Sequence, residues 1–285
     1  MPPSTTVSPD GDTLAPPDRA RADWARAAPR PRRSPAVGRR VLTALVVPAA
    51  ILALWWFVTS RSFVAPYLLP SPGAVWRAGW QEVASGDLLR SAAASLERVG
   101  FGVGVGGVLG LAVGALVGWS RRAAALLEPT LDLLRHIPPL AWVPFALLWF
   151  KGGLLSAAFI VLLVSFFPVF IGTAHALRSV PVRLLDMART TGASRRRTLV
   201  SVALPAALPQ IVASLRVALG GGWMAVVAAE YFGYRHGLGA LAFNAYQVLR
   251  ADLVVVAMIA IGLLGLLIDL VVRLFADRLV WWGGR

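Results

Sequence analysis

Twenty consecutive residues, 99–118, contain no charged side chain. A helix of that length rises roughly 30 Å, the thickness of a bilayer's hydrocarbon layer. Lipid offers no water to the backbone, so such a run must satisfy its own N–H and C=O groups as a helix. Similar apolar runs recur at 41–59, 131–150, 154–177, 208–232 and 253–272. With 57% apolar residues, 15% charged and a mean hydropathy of +0.68, the chain reads as an integral membrane protein. The expected fold is all-α: a polytopic membrane protein with six transmembrane helices.

The net charge of +14 raises the question of nucleic acid, but the arginines are spread over the N-terminus, short loops and the flanks of apolar runs. That placement orients membrane helices and does not build a basic groove with interleaved aromatics. Six spans put both termini on one side. With the N-terminus in the cytoplasm, inside segments carry nineteen arginines: eight before residue 41, two at 121–122, six from 178 to 197 and three after 272. Outside segments carry seven cations: Arg61, Arg77, Arg90, Arg98, Lys151, Arg235 and Arg250. The asymmetry places both termini and the segment 178–208 in the cytoplasm.

Residues 1–40 are rich in Pro, Arg, Ala and Asp and read as a disordered basic tail. A cleaved signal peptide competes with this reading, but the run at 41–59 exceeds the usual apolar core and no clear small-x-small site follows it. The domain proper is 41–285. Within 99–118, Gly102, Gly106, Gly110, Gly114 and Gly118 recur every fourth position and make one smooth helix ridge. Such a ridge serves close packing, either inside one subunit or between subunits. In 131–150, Pro138, Pro139 and Pro144 predict a kinked or broken helix.

One polar stretch interrupts the apolar chain: DMARTTGASRRRTLVSVALP, residues 186–205. Pro181 can start a helix, and Leu184, Leu185, Ala188 and Thr191 follow at helical spacing. Gly192 then suits a left-handed stop. Arg195–Arg197 begin a second helical piece, which Leu204, Pro205 and Pro209 are expected to end. The product is a helix–Gly–helix knob. An ordinary basic loop would satisfy the orientation rule alone, whereas a projecting amphipathic helix suits docking into a partner's groove.

The stretch resembles the cytoplasmic loop of bacterial ABC importer permeases, whose pattern is E-A-A, three residues, G, nine residues, I, one residue, L-P. Asp186, Met187 and Ala188 stand for E-A-A, Gly192 for the Gly, Val202 for the Ile, and Leu204–Pro205 for L-P. LPSPGAVW, RHIPPLAWVPFALLWF and SLRVALGGGWMAVVAAEYFG are also similar to permeases for nitrate, sulfonate, taurine and related small solutes. The resemblance implies a permease that dimerises in the membrane lipid, binds ABC ATPase subunits inside and receives solute from an external binding protein. It makes 182–199 the coupling helix. Leu185, Asp186, Ala188, Arg189, Gly192, Ala193, Leu204 and Pro205 become its ATPase-coupling residues, with Leu185 and Ala188 against the groove and Asp186 and Arg189 setting register. It also implies the bacterial plasma membrane, and a non-catalytic subunit with no bound cofactor, ATP-Mg lying on the partner. The chain itself has no G-x-x-x-x-G-K-[ST] loop, and GFGVGVGG lies in an uncharged span.

Arg135, Arg216, Glu230 and Asp269 fall in or near hydrocarbon, where a charge needs a reason. The two arginines can snorkel, and Asp269 can pair with Arg273 one turn on. Glu230 could line the pathway, pair across a dimer or mark the outer rim, and with Trp223 it is a candidate for pathway or gating. A secondary transporter predicts internal repeats, which the chain does not display. A membrane enzyme predicts a clustered constellation, yet His136, His175 and His236 are scattered. A sulfonate is the first expectation for the solute, ahead of nitrate, taurine or a pyrimidine-like compound.

Overall fold

The computed structural model describes residues 37–61, 63–232 and 234–279, and every regular element among them is helical. The expected tail therefore lies outside the described residues, except that helix α1 (Val37–Ser60) already includes its last four positions. Residues through Leu54 and residues from Trp55 onward form separate units.

In the second unit, the segment read as merely polar between the first two spans contains α2 (Pro72–Ser85). Ser71 caps it by accepting from Ala74 N–H at 3.2 Å, and Pro72 supplies a preset φ where no N–H is needed. Gly86, at φ 79°, turns the chain directly into α3 (Asp87–Trp119). This helix begins three turns before the uncharged run, so Arg90, Glu97 and Arg98 are helical and not part of a loop. The left-handed turn at Gly86, rather than hydropathy, sets its start.

After α4 (Arg121–Arg135), the region 131–150 is broken near its start, as its prolines predict, and is not one continuous helix. A short 3₁₀ turn (Pro139–Trp142) leads into α5 (Val143–Phe150), and the two parts meet at 86°. Pro138 and Pro139 lack the N–H groups that would continue the ladder. Then come α6 (Leu154–Arg178), α7 (Val182–Thr190) and α8 (Arg195–Thr198). A π turn (Leu199–Ala203) joins α8 to α9 (Leu204–Glu230).

Here the sequence expectation fails. Leu204, Pro205 and Pro209 do not end a helix; they lie in the first turns of a long one. Pro205 cannot donate to the carbonyl four residues back, and the π turn absorbs the misfit, with Leu204 N–H reaching Leu199 O five residues back. The polar segment after α9 likewise contains a helix, α10 (Leu238–Gln247), before α11 (Ala251–Leu279).

Four stretches are long and apolar enough to cross a bilayer: Asp87–Trp119, Leu154–Arg178, Arg195–Glu230 and Ala251–Ala276. The bent α4–α5 pair would make a fifth, and the described apolar part of α1, Val46–Ser60, is shorter. The most apolar stretch of α6 is 44% buried and that of α11 only 11%, so α6 is central and α11 lines the periphery.

The glycine ridge explains why α6 is central. A Cβ on Gly102, Gly106, Gly110, Gly114 or Gly118 would lie 2.6–2.9 Å from the carbonyl oxygen of Ala158, Leu162, Phe166, Phe170 or Ala174 respectively. Each step of four on α3 matches a step of four on α6, over about 24 Å of axis. The two backbones therefore touch at every rung, as helices in lipid do through small residues and Cα–H···O contacts. The ridge is used inside the subunit. On the opposite flank α9 joins the core through Val226, Ala229 and Trp223.

Candidate functional site

The loop between α6 and α9 is built as a folded knob. Pro181 precedes α7, and Leu184 N–H returns to Pro181 O at 3.0 Å. At the other end Ala193 N–H donates to Ala188 O at 3.1 Å and Gly192 N–H to Arg189 O at 2.9 Å. This pair of bonds is the Schellman closure, which requires a left-handed residue, and Gly192 supplies it at φ 77°. A Cβ there would meet nothing within 4 Å, so backbone conformation and not space selects glycine. Ser194 then caps α8 by accepting from Arg197 N–H at 3.3 Å.

The knob has an inner and an outer face. Leu185, Leu199 and Leu204 pack on Leu177, Val180 and Ala207, alongside Trp119 of α3. Leu185 and Ala188, which the sequence reading turned toward a partner's groove, therefore face the chain's own core, and Ala188 is buried. The exposed apolar residues of α7 are instead Val182, Leu184 and Met187. Asp186 and Arg189 are exposed and pair with each other at 3.1 Å. Pro205 is exposed. A recess of 380 Å³ opens beside the knob, lined by Trp119, Leu185, Arg189, Ala193, Arg195 and Thr198.

Arg195, expected only to begin the second helical piece, also reaches across to α3. Its guanidinium donates to Trp119 O at 2.9 Å and lies over the Trp119 ring, 6.0 Å from its centroid. Trp119 ends α3, where backbone carbonyls lack helical partners and cations are favoured. Arg178, at the end of α6, reaches the neighbouring Val117 O at 3.3 Å and Glu128 at 2.6 Å.

The second polar cluster surrounds Glu230 at the far end of α9. Its carboxylate is 0% exposed. Arg98 pairs with it, Ser95 Oγ lies 2.9 Å from one of its oxygens, and Gly239 N–H donates to the other at 2.9 Å. Arg98 also donates to His236 O at 2.7 Å and lies over the Tyr234 ring at 4.7 Å. Leu238 N–H completes the shell by donating to Ser95 Oγ at 2.9 Å. Burial pushes the Tyr234 phenol above its ordinary value, so Arg98 faces a neutral ring.

Gly237 and Gly239 let the chain wrap this closely. A Cβ on Gly237 would collide with the Glu230 carboxylate, and one on Gly239 with Val227 O. Counting Arg98 among the outside loop charges thus missed its main partner. The signal was available: a carboxylate inside an apolar run needs a cation, and Arg98 stands at the very edge of another such run.

The remaining candidates disperse. Trp223 is buried in the core and meets α11 at Gly265, where a Cβ would approach Trp223 Nε1 to 2.8 Å. Asp269 pairs with Arg273 at 2.7 Å, one turn on, and lies 3.8 Å from Arg216. Arg135 reaches Asp132 at 3.4 Å.

Comparison with known proteins agrees with this architecture. The family described as binding-protein-dependent transport system inner membrane component matches residues 106–281. The putative aliphatic sulfonates transport permease SsuC of Escherichia coli is 38% identical over 236 residues, covering 83% of this chain and 90% of that one. The taurine transport system permease TauC of the same organism is 33% identical and covers 87% of this chain and 92% of its own. A putative ABC transporter permease of Methanocaldococcus jannaschii reaches 40% identity over 70% of this chain and 74% of that one. The MetNI methionine ABC transporter, solved in inward-facing conformations, shares the fold with a TM-score of 0.56, at 21% identity over 70% of this chain and 96% of the solved chain. With a family match across most of its core and relatives aligned over most of its length, the chain belongs to the binding-protein-dependent inner membrane components, the permease subunits of ABC importers.

Proposed function

We propose that this chain, as a dimer in the plasma membrane, forms the pathway of an importer for a small solute bearing an oxyanion. Solute arrives from an external binding protein, and ATP-Mg is hydrolysed on partner subunits docked at residues 181–205. The chain itself contributes no catalytic group and no cofactor. In this reading six spans cross the membrane, namely α1, α3, the bent α4–α5 pair, α6, α9 and α11, with both termini inside. The observation that carries the docking assignment is the knob: a helix closed by a Schellman turn and followed by a capped one, seated on the ends of α3, α6 and α9, with Val182, Met187, Asp186 and Arg189 facing out. A loop needed only for chain reversal requires none of these features.

The relatives named for sulfonates, taurine, nitrate and bicarbonate share a small anionic or zwitterionic oxygen-rich solute class, which supports an alkanesulfonate as the first candidate. Glu230 does not oppose an anionic cargo on this reading, because Arg98 neutralises it inside the wall. Glu230 and Trp223 then act on the pathway indirectly, by holding α9.

Uptake of alkanesulfonate, taurine, nitrate and bicarbonate into proteoliposomes containing permease, ATPase and binding protein tests the assignment. The expected result is ATP-dependent uptake of one of the four; uptake that ignores ATP and collapses with an ion gradient would sink it. The chain has no cysteine, so single replacements report orientation cleanly. Tyr67→Cys should react with an impermeant maleimide on intact cells and Thr190→Cys should not. The reverse pattern would overturn the topology.

A further inference from the structure

We propose that Arg195 is the residue that fixes the docking loop to the end of α3, beside the loop's direct chain connection to α6. This rests on the loop being the ATPase dock and adds the path by which the dock acts. Three observations carry it. Arg195 grips the terminal carbonyl of α3 at 2.9 Å while its guanidinium lies over the Trp119 ring. The five glycine rungs put the backbones of α3 and α6 in contact along about 24 Å, so a pull on the end of α3 is shared by both helices. Arg178 already ties Val117, in that same last turn of α3, to α6 and, through Glu128, to α4.

The apolar inner face of the knob offers no comparable grip. Leu185, Leu199 and Leu204 rest on it by non-directional packing, which lets helices slide, whereas a charge-assisted hydrogen bond fixes a point. Arg195 is therefore a positioning residue that converts docking into displacement. It is not part of the outward docking face formed by Val182, Asp186, Met187 and Arg189.

The test uses the complete permease–ATPase complex with spin labels at Thr190→Cys in α7 and Leu116→Cys in the last turn of α3. Distances are measured without nucleotide and after trapping with ATP and vanadate. With Arg195 present, the 190–116 distance should stay single and narrow in both states. In Arg195→Ala the nucleotide-free distance should be unchanged, showing an intact loop, while the trapped state broadens or shifts and the ATPase stays bound. The population still moving as a unit should fall about two- to fivefold, because Arg195 is exposed and water competes for its hydrogen bond. Arg195→Lys, which can donate but cannot cover the ring as a plane, should restore part of the coupling, and Trp119→Leu should mimic part of the loss.

A wild-type distance that already changes on trapping would overturn the proposal. So would an Arg195→Ala complex that behaves as wild type or sheds its ATPase. Failure of the underlying docking assignment looks different: the unsubstituted chain would then retain no ATPase at all.

Discussion

The two polar clusters, at opposite ends of α9, treat charge in opposite ways. Around Glu230 every charged atom is turned inward: a carboxylate at 0% exposure has a cation, a hydroxyl and a backbone N–H around it. On the knob, Asp186 and Arg189 have side chains 57% and 68% exposed and meet only each other. An enclosed pair fixes where helices end, because any misalignment strands a charge in a poorly solvating interior. An exposed pair fixes little and stays available. On the proposed docking reading, the difference separates the part of the molecule that holds the helices in place from the part left open to a partner.

The largest expected effect breaks the enclosed cluster. Arg98→Ala leaves the Glu230 carboxylate without its cation, at a cost of about 3–5 kcal/mol. Thermal unfolding of the purified protein in detergent should fall steeply, and Glu230→Gln should lose a comparable amount by stranding Arg98. The double replacement Arg98→Ala with Glu230→Gln should cost less than the sum of the two singles, since neither charge is then orphaned. Additive losses would mean that the two side chains do not form one unit.

Next in size is the ridge that joins the two regions. Gly110→Ala would put a Cβ 2.7 Å from Phe166 O and should cost about 1–3 kcal/mol by forcing the backbones apart. Gly104, on the same helix but with nothing within 4 Å of a Cβ, provides the control. Gly104→Ala should be neutral or stabilising by up to about 1 kcal/mol, because alanine is the better helix former. Equal losses at both positions would remove the ladder as an explanation.

The ridge was legible in the sequence because a four-residue glycine period has one physical use, close helix approach. Which partner it approached was not legible, since α6 supplies only backbone oxygens, which every residue carries. The loop was legible for a similar reason. Gly192 and Ser194 act through local backbone geometry, and local geometry is written in neighbouring residues. The inward turn of Leu185 and Ala188 was hidden because an amphipathic helix shows that it has two faces without saying which one the rest of the chain has taken. The start of α3 at Asp87 and the helix α10 were missed because hydropathy tracks lipid, and both lie where the Gly86 turn and the Glu230 shell decide. The passage of α9 through Pro205 and Pro209 was missed because the π turn that permits it has no sequence signature of comparable strength.

Within the knob, Gly192→Ala should cost about 1–2 kcal/mol locally, since φ 77° is a left-handed conformation that a Cβ disfavours. Hydrogen exchange at Ala193 N–H and Gly192 N–H should quicken while α3 and α6 keep their protection. Global unfolding in place of this local loosening would mean that the knob belongs to the rigid body.

The smallest thermodynamic effect belongs to the exposed pair and discriminates best between the two regions. Breaking Asp186–Arg189 with Asp186→Asn should change stability by no more than about 0.5 kcal/mol, because water already solvates both groups. Its consequence should appear only in the complex. Asn keeps the shape but removes the charge, so retention of the ATPase should fall and fall further with Asp186→Lys, while unfolding of the free permease stays put. Arg98→Ala should show the converse, a large loss of stability whether or not ATPase is present. If Asp186→Lys destabilised the free permease as much as Arg98→Ala, the knob would be a second structural cluster. The contrast between a buried anchor and an exposed handle would then have no physical content.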